Sequence, residues 1–349
     1  VNSWDVIIAG AGIIGVSLAL ELRERGATVL VLDQGEPGSE SSSAAAGMLA
    51  ATDPATPPAL RPLSMESARI FPEYVARLEK VSGVETDFRR HGTIAFLDSA
   101  ATAPAGYRKL SADDLHRLEP ALNSHGRQAF FIQEDTVDPR LLMRATLTAA
   151  QNSGVDIRGN TEVRAICAGG DKIEVETALG ALQAGAIINC RGAWAGAPVK
   201  PRKGQMLYVR PQKSNLLQHV VHAPDVYIVP RGSGKILVGA TVEDAGFDKT
   251  VAASTIHQLL SAATKYLPEL GAAPIVESWA GLRPGTPDDL PILGPTDLPG
   301  VFAATGHFRN GILLAPITAR IMADVVTSKK PAFDISPFAA SRFTVAKVL

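Results

Sequence analysis

Cysteine is nearly missing from this 349-residue sequence, which holds only Cys167 and Cys190. A disulfide framework is therefore excluded as the main source of stability, and both residues sit in apolar, strand-like runs that suit buried, reduced thiols. An excess of charge of one sign is also lacking, since 34 basic and 35 acidic residues nearly cancel. That balance leaves no electrostatic footprint for nucleic acid or an anionic membrane. No apolar run is long enough to cross a bilayer: the most apolar stretch, residues 6–20, is broken by Gly10, Gly12 and Gly15 and falls short of the ~20 residues a span needs. Strand-like residues follow Trp4 almost at once, without the basic start and cleavage site of a secretory leader, so a cytoplasmic location is expected. Repeats, Cys/His/carboxylate clusters with metal-ligand spacing and a Ser-His-Asp arrangement do not occur, and no metal is expected.

What the sequence does hold is 46% hydrophobic and 20% charged residues, as in an ordinary globular protein of one large domain or two interleaved ones. Residues 4–9 read as a buried strand, 10–15 as a glycine turn, the stretch to about Arg25 as a helix stopped by Gly26, and 28–33 as a second strand, together a βαβ unit. A Ser/Ala tract and prolines 54, 57 and 58 follow, then a helical pattern over 69–81. Asp138-Pro139 marks a helix start, with the carboxylate as cap and proline in the first turn, running to Gly154. Short strands over 155–158, 161–168, 172–177 and 186–189 return to the sheet begun by that βαβ unit. From Tyr208 onward the pattern is antiparallel, with 226–230 and 235–240 flanking the turn Arg231-Gly-Ser-Gly234. A helix over 252–266, strands at 275–280 and 301–304 and an apolar helix over 312–326 complete the chain. The fold class is α/β, or α+β overall: a discontinuous Rossmann-like domain (1–83, 137–200 and 276–349) with an inserted antiparallel-sheet domain (84–136 and 201–275).

In Gly10-x-Gly12-x-x-Gly15 the first glycine permits the tight turn, the second lets a pyrophosphate approach the backbone, and the third lets helix pack on strand. Asp33 stands at the end of the next strand, where a carboxylate can accept ribose hydroxyls. The spacing does not separate NAD from FAD. Ser41-Ser-Ser-Ala-Ala-Ala-Gly47-Met48 reads either as hydroxyls before an alanine-rich helix, a second anion site along a longer cofactor, or as a flexible linker.

Five motifs together resemble glycine oxidase, the thiamine-pathway member of the D-amino-acid oxidase group of flavoenzymes. They are Ser43-Ala-Ala-Ala-Gly-Met-Leu49, Val226-Tyr-Ile-Val-Pro-Arg231, Val238-Gly-Ala-Thr241, Trp279-Ala-Gly-Leu-Arg-Pro-Gly-Thr286 and Gly306-His-Phe-Arg-Asn-Gly-Ile-Leu-Leu-Ala-Pro316. The resemblance covers nearly the whole chain in order. It implies non-covalent FAD held by Gly10, Gly12, Ile13, Ile14, Gly15, Asp33, Gln34, Ser41, Ser42, Ala45, Gly47, Met48, Val163 and Gly192, and by His307, Phe308, Arg309, Asn310, Gly311 and Ile312. It also implies that Arg283 and Tyr227 hold a substrate carboxylate and that Arg309 lies beside substrate and flavin; Met48 and Val242 read either as pocket lining or as core, and Asp225 is a further candidate for the pocket.

The residue chemistry fits these roles. A guanidinium binds a carboxylate bidentately, and Pro284 forces an extended backbone that mounts Arg283 on a stiff loop; the alternative is an ion pair with Asp288 or Asp289. Tyr227 can donate a second hydrogen bond or serve as a core tyrosine. The segment 306–311 opens an apolar helix whose amino end can face the flavin, and His307 receives no proton chemistry. The implied reaction is hydride loss from the α-carbon to flavin N5, giving an imine, then a 2-oxo acid and ammonia, with oxygen reduced to hydrogen peroxide. Sarcosine, a D-amino acid or another secondary amine is the alternative substrate, and a redox-silent dinucleotide-binding protein the non-enzymatic one. A homo-oligomer is compatible with the sequence. Two departures stand out: Asp225 replaces the histidine of related sequences, facing either the substrate nitrogen or solvent, and residues 194–203 form a short connection rich in proline and basic residues.

Overall fold

The computed structural model describes residues 3–98, 102–169 and 172–343. The strand Ser3–Ala9 is the centre of a parallel array, flanked by Val29–Leu32 on one side and Gly180–Asn189 on the other. Asp156–Arg158 lies beyond the first neighbour and Val301–Thr305 beyond the second, with Ile292–Pro295 antiparallel at that edge. Successive side chains of a strand point to opposite faces. Val6 and Ile8 therefore enter a core with the helices Ile13–Glu24, Arg61–Ser82, Pro139–Asn152 and Gly311–Val326. Ile7 and Ala9 enter a second core that includes Val163, Ile173 and Val175 from the antiparallel strands Val163–Gly169 and Lys172–Thr177.

The cap of Pro139–Asn152 is the one its sequence specifies: Asp138 accepts from the N–H groups of Arg140 (2.9 Å) and Leu141 (3.2 Å). The helix Arg61–Ser82 begins eight residues before the expected 69, because Pro62 occupies its first turn, where a missing N–H costs nothing.

The second sheet has eight strands in the order Ile275–Gly285, Lys200–Val209, Ile236–Gly239, Val226–Pro230, Val220–Ala223, Thr93–Leu97, Gln128–Ile132 and Arg108–Lys109. Only the pairing of Val220–Ala223 with Thr93–Leu97 is parallel among its described neighbours. Its outer face, with Leu207, Ile228 and Val238, packs on the helix Ala253–Tyr266. Its inner face presents Met206, Tyr208, Tyr227 and Val229 towards Ala46 and Met48. Buried Arg231 locks that approach by donating to the carbonyls of Ala46 and Val137.

Three expectations need correction. Ile275–Gly285 pairs along its length with Lys200–Val209, so the boundary expected at residue 276 falls inside a strand of the antiparallel sheet. Lys200–Val209 takes in residues 200–203 of what reads as a proline-rich connection; Pro201 is tolerated because it lies beyond the last pairing on that side of the strand, where the ladder with Ile236–Gly239 ends opposite Met206 and an isolated bridge joins Lys203 to Glu243. Cys167 is exposed and Cys190 buried: Cys167 pairs with Glu174 on the outward-facing row of the sheet. Among the described residues, no helix is long and apolar enough to cross a membrane.

Candidate active site

The glycine turn is built by backbone geometry. Gly10 has φ +110, and a Cβ there would stand 2.5 Å from the carbonyl carbon of Cys190. Gly15 packs against Gly10 and the Ile8 side chain, which is the helix-on-strand contact expected of a third glycine. Gly12 differs, because its nearest neighbour to a Cβ is the Ser42 hydroxyl at 3.1 Å, and it lines a cavity together with Ile13 and Ile14. The first N–H groups of a helix lack intrahelical acceptors; that of Ile13 meets Ser42 Oγ at 2.9 Å. Asp33 also reinforces the turn, accepting from Ala11 N at 2.7 Å and Gly35 N at 2.9 Å. Each carboxylate oxygen keeps a second lone pair for a ribose hydroxyl, and Asp33 and Gln34 both line the cavity.

The Ser/Ala tract is not an alanine-rich helix. Only Ser41–Ala44 is helical, a single turn, and Gly47, at φ +74, bends the chain into the short strand Met48–Leu49. The serines act as ties: Ser41 donates to the carbonyl of Leu282 and Ser42 accepts from the glycine turn, so the segment bridges the two sheets.

Arg283 lies within the strand Ile275–Gly285 and so on a rigid sheet, where a stiff loop is expected from sequence. Its Nη1 donates to the carbonyl of Thr241 at 3.1 Å. Asp288 is paired with Arg342, and no carboxylate among the described residues stands within ion-pair distance of Arg283. Tyr227 points into the same space from Val226–Pro230, its hydroxyl donating to Met206 Sδ at 3.3 Å. Burial raises the phenol's pKa, an effect partly offset by the neighbouring Arg283 guanidinium; the hydroxyl stays protonated and remains a donor. The loop before Gly311–Val326 is fastened to the same strand, since Phe308 N donates to Pro284 O at 2.9 Å. Exposed Arg309 lies over the Phe308 ring, 5.1 Å from its centroid.

His307 is a core histidine. It is 3% exposed, its Nε2 lies 3.1 Å from the Thr318 hydroxyl, and burial pushes its pKa down to about 3. Asp225 sits in the two-residue turn after Val220–Ala223 and pairs with Lys265 at 3.1 Å. The residue borders the cavity, and its carboxylate is paired with that lysine. Val242, about half exposed, stands at the cavity wall, and Met48 packs on the inner face of the sheet.

Sequence reasoning missed a histidine. His222 pairs across the hairpin with Tyr227 and alternates with outward-facing Val221, so it lines the cavity. Burial, with Arg309 nearby, lowers its pKa, against the pull of Asp53. Glu134 is a second missed group, desolvated so that its pKa rises although Thr52 Oγ1 donates to it at 2.8 Å. The signal for His222 was present: a two-residue turn before Tyr227 puts residues 222 and 227 opposite one another.

One cavity of about 500 Å³ joins these parts, running from Gly12, Asp33 and Val163 past Gly192 and the 306–312 loop to Tyr227 and Arg283. A phosphate cradle in a parallel sheet, opening onto the Arg283 guanidinium of an antiparallel sheet, defines a dinucleotide-dependent oxidoreductase. A family model described as FAD dependent oxidoreductase matches residues 5–325, and the chain belongs to that family. Glycine oxidase of Pseudomonas putida is 34% identical over 362 residues, covering 97% of this chain and 98% of its own. The bifunctional protein ThiO/ThiG of Trichormus variabilis is 36% identical over 361 residues, 97% of this chain but 55% of its own, so this chain spans about half the length of that relative. The crystal structure of glycine oxidase from Geobacillus kaustophilus superposes with a TM-score of 0.93 at 33% identity, covering 98% of this chain and all of that one. FAD is the cofactor, and the bare backbone at Gly12 together with the length of the cavity fits its pyrophosphate and its elongated shape.

Proposed function

We propose that this chain oxidises the carbon–nitrogen bond of a small amino acid, glycine foremost, to the imine and thence to a 2-oxo acid and ammonia, with molecular oxygen as electron acceptor. The observation that carries this reading is a cation without a protein counter-ion: Arg283 faces the cavity beside a protonated tyrosine, and no carboxylate among the described residues pairs with it. Bound FAD supplies the hydride acceptor and, through its reoxidation, the route to hydrogen peroxide.

The side chains do the positioning. Arg283 takes the substrate carboxylate bidentately and Tyr227 adds a neutral donor, fixing the α-carbon. Hydride loss requires the amine lone pair, so the nitrogen must be neutral when the C–H bond breaks. His222, whose pKa is drawn below the ordinary imidazole value by desolvation, offers a ring nitrogen on the cavity wall. His307 is held neutral in the core and takes no part in proton movement. The similarity to glycine oxidases over nearly the full chain supports glycine as the first substrate to test.

Anaerobic addition of glycine to the FAD-loaded protein is expected to bleach the visible flavin band. Bleaching by sarcosine or a D-amino acid but not by glycine would replace the substrate while keeping the chemistry. Failure of every small amine tried would reduce the protein to a dinucleotide binder.

A further inference from the structure

Three glycines on neighbouring strands cluster where the inner face of the antiparallel sheet lines the cavity: Gly281, Gly204 and Gly239, with Gly285 on the same face at the end of its strand. Register puts them on one face, since Gly204 pairs with Gly281, and Gly239 pairs with both Met206 and Tyr227. None has the positive φ that would by itself require glycine. Glycine weakens a strand interior and marks places where something approaches the backbone closely. At Gly204 a Cβ would stand 2.6 Å from Cζ of Arg283, and at Gly239 it would stand 2.7 and 2.8 Å from Cε2 and Cζ of Tyr227 and 2.7 Å from Cγ of Met206. Gly281 serves a different neighbour, Ala44. The two residues proposed to grip the substrate thus each lie on a glycine, and Arg283 is held from the side by the Thr241 carbonyl. That carbonyl belongs to a residue whose hydroxyl accepts from Gln205 N at 3.0 Å and donates to Glu243.

We infer that Gly204 and Gly239 are positioning residues of a carboxylate clamp: the bare backbone at each lets the guanidinium and the phenol lie against the sheet and converge on one carboxylate. The inference rests on the proposed role of Arg283 and Tyr227. A methyl group at residue 204 needs at least an ordinary 3.4 Å contact where the guanidinium carbon would be 2.6 Å away, so the guanidinium has to move by roughly 1 Å. Misplacement on that scale costs on the order of a hundredfold when the displaced group orients a substrate.

The test is a double-mutant cycle on the FAD-loaded enzyme with Gly204→Ala, Arg283→Ala and the double variant. Acetate binding is read by calorimetry, thermal midpoint by a melting curve, and glycine turnover by KM and kcat. Gly204→Ala is expected to weaken acetate and raise KM for glycine by roughly ten- to a hundredfold, with a smaller change in kcat and no change in FAD affinity. In the Arg283→Ala background the same alanine is expected to leave acetate binding and midpoint unchanged, because the group it would strike is gone. Gly239→Ala is expected to cost less acetate affinity in the Tyr227→Ala background than in the parent, while its contact with Met206 Cγ at 2.7 Å persists in both. Acetate affinity of Gly204→Ala within twofold of the parent, or an equal loss with and without Arg283, overturns the inference. Parent-like acetate binding by Arg283→Ala overturns the clamp itself and the inference with it. If Gly204→Ala does not fold, recovery of folding in the double variant supports the inference, and failure of the double variant overturns it.

Discussion

Two glycines of the phosphate turn are expected to fail in different ways when each is changed to alanine. At Gly10 the backbone sits at φ +110, which an L side chain adopts only under strain, and the added carbon would stand 2.5 Å from the Cys190 carbonyl carbon and 2.8 Å from Arg191 N. Strain of about 1–3 kcal/mol and overpacking of about 1–3 kcal/mol together take a large share of the ~5–15 kcal/mol that holds a typical domain folded. Gly12 has φ −75 and ψ 179, a conformation open to alanine, and its new carbon meets only the Ser42 hydroxyl, at 3.1 Å. The apoprotein should absorb that contact by a shift of a few tenths of an ångström, at a cost below ~1 kcal/mol. The cofactor cannot absorb it, because the methyl stands where the pyrophosphate must approach the backbone. Losing one charge-assisted hydrogen bond and loosening a second costs about 2–4 kcal/mol, or roughly thirty- to a thousandfold in Kd. Denaturant unfolding of the apoproteins and FAD titration by fluorescence separate the two effects. Apoprotein destabilisation by Gly12→Ala as severe as that of Gly10→Ala, or wild-type FAD affinity in Gly12→Ala, would refute the division of labour.

Tyr227→Phe removes one neutral donor from the clamp and is expected to raise KM for glycine roughly three- to tenfold, the effect of ~0.5–1.5 kcal/mol, with FAD binding intact; steady-state kinetics decide. Asp225→Ala breaks only a half-exposed pair with Lys265, so stability should change by less than ~1 kcal/mol and the ratio of glycine to sarcosine turnover should stay constant, whereas a shifted ratio would put its carboxylate at the substrate. His307 sets an acid limit on stability: its pKa is about 3 when folded and 6.5 at its ordinary value. Below pH 6.5 the unfolded chain takes up a proton that the native core refuses, so this contribution is lost as pH falls. Between pH 6.5 and 5 the loss is about 1–2 kcal/mol, and His307→Asn, compared by denaturant midpoints at the two pH values, should show a correspondingly shallower decline.

How much of this was legible in the sequence depended on whether the signal was local. The glycine turn, the Asp138-Pro139 helix start and the hairpin about Arg231-Gly-Ser-Gly234 are each specified within a few residues, by φ preference, capping or turn chemistry, and the structure holds them where the spacing puts them. Lys200–Val209 was hidden because Pro201 and three basic residues read as loop, and only the partner strand 75 residues later reveals a ladder. The Ser/Ala tract misled in the opposite direction, because alanine content suggests helix while Gly47 and the tie from Ser41 to Leu282 dictate a single turn and an extended crossing between sheets.

The two halves of the site differ in the same way. The half that receives FAD is made chiefly by backbone, so its requirements appear as glycines at fixed separations. The half proposed to receive substrate is made by side chains from several strands, and each of its positions depends on cross-strand register. Arg283 could be nominated by residue type, but its seat on Gly204 exists only once the strands are paired, whereas the local hairpin already puts His222 opposite Tyr227. If Arg283 and Tyr227 grip the substrate as proposed, its binding depends as much on what is left off the floor of the sheet as on which charged group stands above it. A related chain that kept the arginine and tyrosine but carried a side chain at 204 or 239 would, by this reasoning, have lost the geometry of the clamp while retaining its chemistry.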